Sequence, residues 1–229
     1  YNSLHTSGGY NNYQWYINSI LINGENDSII YPIINGEYQV AVFDQNGWHP
    51  LPYLSQGEFY SEFGSYDVKI TLPENYVLGA TGDLVNGEKE KVFLMQKVKE
   101  TDSIIKSGNY NKYDMSFPES SKKFKTLHFH QENIHDFAWF ADPKWIVRKG
   151  MLYLADSTRE VTLWSMYLPK NAEMWENSIE YLHDSGYWYS KFNGDYPYNH
   201  ITAVDGDLSA GGGMEYPNIT VISSSDSKD

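Results

Sequence analysis

The chain has 229 residues, 30 of them acidic and 17 basic, and a formal charge of −13 at pH 7. That charge repels nucleic acid phosphates and anionic membrane surfaces, so neither is an expected partner. There is no cysteine, which excludes disulfides and zinc-thiolate sites, and no run approaches the ~18 apolar residues of a membrane span.

Residues 1–36 are polar and rich in Asn, Tyr and Gly, with apolar islands at SILI and SIIYPII that read as short strands in loose loops. The opening YNSLHTSGGYNNY lacks the basic start and apolar core of a signal peptide. From 37 to 95, EYQVAVFD, EFYSEF, YDVKITL and YVLGATG are β-branched and aromatic runs separated by NG, PEN and GD turns, the pattern of antiparallel sheet. VNGEKEKVFLMQKV reads as an NG turn between further strand-like residues. Residues 102–123, polar and broken by Gly and Pro, read as an exposed connection. KTLHFHQENIHDFAWFA then reads as one buried strand with polar teeth.

Past about residue 157 the pattern changes. TREVTLWSMYL alternates as a strand, and NAEMWENSIEYLHDSGYWYSKF places Trp175, Ile179, Leu182, Gly186 and Tyr189 on one face of a helix. Asn171 is the expected cap, Glu173 suits the positive end of the dipole, and Gly194 follows the helix end. HITAVDGD reads as a strand feeding GGGMEYP. Many strands followed by strand, long helix, strand and glycines predict a mainly β protein: an antiparallel β-sandwich over 1–157, then the start of an α/β domain over 158–229.

Four groupings carry chemical potential. His128 and His130 share a strand face near Glu132, His135 and Asp136, a spacing able to ligate zinc or copper, although imidazoles so placed more often meet hydrogen-bond partners. Glu58 with Glu62, or Asp205 with Glu215, could form a glycosidase pair, but nothing in the spacing selects one. The aromatics of GYWYSKF and GDYPYNH either stack on carbohydrate or pack against their own helix and sheet. In GGGMEYP, bare backbone adjoins a carboxylate, so another chain could lie directly on it beside Glu215.

Together, GGGMEYP, the helix before it and GDYPYNHITAVDG resemble the gluzincin zinc aminopeptidases of the membrane alanyl aminopeptidase and leukotriene hydrolase type. VAVFDQNGWHPLPYLSQGEFYSEFGSYDVKITLPENYVLGATG and ENIHDFAWFADPKW are similar to the N-terminal domain of a bacterial branch of that family. The resemblance spans about residues 40–229 and is weaker over 96–123. It implies a β-sandwich domain shortened at its start, then the opening of a thermolysin-like peptidase domain that stops before the zinc-binding helix. Gly212, Gly213, Met214, Glu215 and Tyr216 correspond to the family's GxMEN substrate strand, with Tyr216 where the family has Asn.

By that resemblance, the partner is a peptide with a free N-terminus. Its amine, with a pKa near ~7.7–8.0, is mostly protonated at neutral pH and is held by Glu215 while the glycines admit main-chain pairing. Hydrolysis in the family needs zinc on HExxH plus a downstream Glu. The histidines here are His5, His49, His128, His130, His135, His183 and His200, and no two stand four apart. Catalytic residues and zinc ligands are therefore expected beyond Asp229, and this chain alone is expected to be inactive. A periplasmic, secreted or membrane-associated bacterial parent follows from the resemblance. The alternative is a non-catalytic secreted β-sandwich module that binds carbohydrate or protein.

Overall fold

A computed structural model describes residues 3–6, 12–18, 20–31, 38–43, 62–108, 116–154, 159–208 and 212–224. Glu58 and most of EFYSEF lie outside them. Five strands open the chain: β1 (Leu4–His5), β2 (Asn12–Ile17), β3 (Ile20–Leu21), β4 (Ile29–Ile30) and β5 (Tyr38–Phe43). β6 (Gly64–Pro73), β7 (Val77–Ala80) and β8 (Asp83–Val85) lead into helix α1 (Glu88–Ser107), followed by β9 (Phe124–Ile134), β10 (Trp139–Asp142), β11 (Ile146–Tyr153) and β12 (Glu160–Tyr167). A 3-10 turn (Pro169–Asn171) precedes α2 (Ser178–Asn193), and β13 (His200–Asp205), β14 (Gly213–Tyr216) and β15 (Ile219–Ile222) complete the order.

The protein is mainly β, with antiparallel pairing throughout its first two thirds. β3-β2-β5 and β6-β9-β8 form three-stranded sheets, while β1 with β4 and β7 with β10 form two-stranded ones. The sheet that positions the candidate site has five strands in the order β11-β12-β13-β15-β14. β12 and β13 run parallel, which requires a crossover, and α2 supplies it. β13 and β15 are also parallel, whereas β14 folds back antiparallel on β15.

Both faces of this sheet are covered, which is why its strands read as near-continuous apolar runs. On one face Met166, Val204, Ile219 and Val221 pack with Val77 and Leu94. On the other, Tyr167 stacks on Trp175 at 5.5 Å, and Leu152, Leu163 and Ile201 meet Ile179 and Leu182 of α2. Burial of each such side chain stabilises the fold by roughly 1.5–3 kcal/mol.

The two edges of the sheet differ. Along β11 lies α1: the Val147 N–H donates to the Thr101 hydroxyl at 3.0 Å, and that hydroxyl donates to the Lys97 carbonyl at 2.9 Å. β14 forms the opposite edge, with no further strand beside it among the described residues.

Three expectations are corrected. Residues 88–107 are helical, where a strand and then an exposed connection were expected. Glu, Lys, Leu, Met and Gln dominate the first half and are strong helix formers, and Glu90, Leu94 and Thr101 are its buried stripe at steps of four and seven. The NG turn is real, with Asn86 at φ 53, but it introduces a helix; Gly108 at φ 65 ends it. Second, α2 begins at Ser178 because Asn171 does not cap it; its amide donates to Asp205 Oδ2 at 2.7 Å, and Glu173 lies in the turns that follow. The face holding Ile179, Leu182 and Gly186 continues to Ser190, so Tyr189 is 70% exposed. Third, KTLHFHQENIHDFAWFA is two strands. The non-strand residues 135–138, which follow Asn133 at φ 57 near the end of β9, separate β9 from β10, which joins a different sheet.

Candidate functional site

The β14–β15 hairpin turns through Pro217 and Asn218, and Asn218 holds φ 51, a left-handed conformation that Asn tolerates better than most residues. At its open end the Ser223 N–H donates to the Gly212 carbonyl at 2.8 Å. Residues 212 and 223 thus form a hydrogen-bonded pair, and antiparallel ladders alternate such pairs with non-bonded ones. With Gly213 opposite Ile222, Met214 opposite Val221, Glu215 opposite Thr220 and Tyr216 opposite Ile219, Met214 and Tyr216 direct their main-chain groups to β15. Gly213 and Glu215 direct theirs outward.

Side chains follow the same parity. Met214 and Tyr216 pack on the core, the Tyr216 ring lying 6.1 Å from Phe140. Glu215 takes the other face beside Thr220, whose hydroxyl donates to the Met214 carbonyl at 3.1 Å. Glu215 is exposed and forms no ion pair among the described residues. Gly212 at φ 73 requires glycine, and a Cβ on Gly213 would stand 3.1 Å from the Val221 carbonyl.

A cavity of about 630 Å³ opens at this strand, lined among others by His135, Asp136, Tyr198, Glu215 and Tyr216, with no Lys or Arg in its lining among the described residues. Burial, and then the charge of Asp136, push the Tyr216 phenol up. Burial also raises Tyr198, whose hydroxyl donates to the Asn133 carbonyl at 3.1 Å, and Tyr196, whose hydroxyl donates to the His200 carbonyl at 3.1 Å. These phenols therefore remain protonated donors at neutral pH. Two carboxylates, Asp136 and Glu215, give the cavity a negative character suited to a cationic group.

The other candidates are placed elsewhere. Asp67 on β6 bridges His128 Nε2 and His130 Nδ1, the latter at 3.0 Å, and the His128 hydrogen bond holds its carboxyl below the usual range. His135 instead tilts against Phe63 at 5.3 Å. No group of three or more His, Cys, Asp or Glu among the described residues could hold a metal ion. Asp205 is spent on Asn171, the Leu168 N–H and Ser224, so it is a buried structural acceptor rather than a partner for Glu215. Of the aromatics, Tyr196 packs inward, whereas Trp188, Tyr189 and Phe192 remain exposed.

Thr81 and Asn218 were not among the sequence-derived candidates. Thr81 is fully buried and donates its hydroxyl to the Pro217 carbonyl at 3.0 Å, and Asn218 Oδ1 accepts the Gly82 N–H at 2.9 Å. The Pro-Asn pair between two strand-like runs was a legible turn signal. The partners, 136 residues away, were not.

Fold and site together define a mainly β protein whose five-stranded mixed sheet ends in a glycine-led open strand with a carboxylate at an acidic cavity. No protein-family model and no curated protein matches the chain. Among solved structures it is similar to a variant of a two-domain M1 zinc metallopeptidase bound to L-tryptophan, at 14% identity and TM-score 0.41, covering 72% of this chain and 32% of that one. It is also similar to Legionella pneumophila aminopeptidase A in complex with aspartic acid, at 14% identity and TM-score 0.49, covering 97% and 26%. The third is an M1 zinc metallopeptidase from Deinococcus radiodurans, at 14% identity and TM-score 0.41, covering 71% and 30%. The chain spans less than a third of the length of each. Among the described residues no helix is long and apolar enough to cross a membrane.

Proposed function

We propose that this chain is part of a zinc aminopeptidase of the gluzincin type. Residues 1–157 are its N-terminal β-sandwich domain, residues 158–229 open its thermolysin-like domain, and β14 receives the peptide. The observation that carries this reading is the outer edge of β14, where Gly213 and Glu215 turn their main-chain groups outward at a cavity lined by the carboxylates of Asp136 and Glu215. A peptide laid antiparallel there exchanges main-chain hydrogen bonds with those two residues, and Gly213 removes the side chain that would hold it off. Its terminal ammonium then meets the Glu215 carboxylate, which selects chain ends over internal segments.

The described residues do not fit a zinc site, since no two histidines have HExxH spacing and His128 and His130 are bound to Asp67. The residues of this chain bind and orient the substrate.

The test is titration of the chain with trialanine and with N-acetyltrialanine. The free peptide should bind more tightly, and Glu215→Gln should weaken it by about 10- to 100-fold, because a hydrogen bond to a charged group contributes roughly 1.5–3 kcal/mol. The acetylated peptide should be nearly indifferent to the change. Equal losses on both peptides refute the amine-anchor role. The exposed rings of Trp188, Tyr189 and Phe192 support the second reading, a carbohydrate-binding module. Glycan binding without peptide binding would favour it.

A further inference from the structure

We propose that Thr81 is a positioning residue for the peptide site, its hydroxyl fixing the separation of the two walls between which a peptide terminus sits; the proposal rests on the reading of β14 as the peptide strand. The walls come from distant parts of the chain. One is β14 with its turn, carrying Glu215 and Tyr216, and the other is the segment after β9, carrying His135 and Asp136.

One hydroxyl bonds to both. Thr81 Oγ1 accepts the N–H of Ala138 at 3.1 Å and donates to the carbonyl of Pro217 at 3.0 Å, so its proton and one lone pair serve opposite walls. The Thr81 N–H donates to the Ala138 carbonyl at 2.8 Å, fixing the threonine to the first wall by its backbone as well. Ala138 lies two residues beyond Asp136, and Pro217 two beyond Glu215. A shift at Thr81 is therefore passed to both carboxylates through very short lengths of chain.

Asn218 holds the same joint from the other side. Its Oδ1 accepts the Gly82 N–H at 2.9 Å, its Nδ2 donates to Gln131 Oε1 at 3.3 Å, and its carbonyl accepts the Thr202 N–H at 3.0 Å. Gly82 at φ 90 brings its own backbone close to His130, where a Cβ would stand 3.0 Å from the His130 carbonyl. The joint is dry, with Thr81 at 0% and Asn218 at 5% exposure. In such surroundings a lost partner leaves a buried polar group unsatisfied, and the walls must move to recover one.

Thr81→Val keeps the shape and removes both bonds; Thr81→Ser keeps both. Affinity for trialanine and N-acetyltrialanine should be measured on the wild-type chain and on each variant. Thr81→Val should lower the preference for the free amine by about tenfold, the order expected when a binding wall is misplaced by a fraction of an ångström. Thr81→Ser should restore it. A merely structural role lowers apparent affinity for both peptides by the same factor, the loss in folded fraction, and leaves the ratio unchanged; that result overturns the proposal. If Thr81→Val does not fold, Asn218→Gly decides. It keeps the positive φ, removes the bonds to Gly82 and Gln131, and should also lower the ratio; an unchanged ratio again overturns the proposal. A wild-type chain that prefers no free amine overturns the peptide reading and this inference with it.

Discussion

Glu90→Ala should be among the most destabilising single substitutions in the protein, while the double change Glu90→Met with Lys125→Met should be close to neutral. The Lys125 ammonium donates to both oxygens of Glu90, at 2.7 and 2.9 Å, and to the Tyr76 carbonyl at 2.6 Å, and it lies 4.1 Å from the centre of the Phe93 ring. The side chains are 6% and 15% exposed, so the charges have left water almost entirely. Burial is the leading influence on both groups: it raises the Glu90 carboxyl and lowers the Lys125 ammonium, outweighing their mutual attraction. Removing one partner strands the other charge and costs about 3–5 kcal/mol, whereas replacing both with apolar groups of similar volume is often neutral or stabilising. At about 2–4 °C per kcal/mol for a chain this long, Glu90→Ala should lower Tm by roughly 6–20 °C, with the double variant within about 2 kcal/mol of the wild type. Thermal and urea unfolding followed by circular dichroism measure both. A single variant that loses less than about 1 kcal/mol, or a double variant as unstable as the single, would falsify the claim that an unpaired buried charge sets the cost.

Two further outcomes can be checked the same way. Burial holds the His200 imidazole below its ordinary value. The unfolded chain therefore takes up a proton near pH ~6.5 that the folded chain refuses until lower pH, and stability should fall as pH drops through that window. His200→Gln should flatten the stability curve between about pH 7 and 5, and an identical slope would contradict this. A Cβ on Gly186 would stand 2.6 Å from Leu152 Cδ2 and 2.9 Å from Ile201 Cδ1, so Gly186→Val should destabilise by about 1–3 kcal/mol through overpacking of α2 against the sheet. A variant as stable as the wild type would show that this contact relaxes freely.

Local pattern made much of the fold legible. β6, β7, β12 and β13 fall on the alternating or β-branched runs that announced them, and Gly194, at φ 98, sits where a helix end needs glycine. The failures share a cause, which is tertiary contact overriding a local signal. In VNGEKEKVFLMQKV the NG pair suggested a hairpin, but Leu94 and Thr101 find their partners on the sheet core and on β11. Asn171 has the chemistry of a helix cap, yet a carboxylate 34 residues away takes its amide. At the candidate site, Gly212, Gly213 and Glu215 drew notice because glycine and a carboxylate advertise their properties in the chain. Thr81 was invisible, since a lone threonine carries no sign that two separate walls share its hydroxyl.

The unlike edges of the five-stranded sheet limit how copies of this protein can associate through it. Along β11, Thr101 of α1 already takes the Val147 N–H, whereas β14 has no neighbour on its outer side among the described residues. Two copies joined β14 to β14 across a twofold axis would each use the other's open edge, so association through β14 closes at a pair.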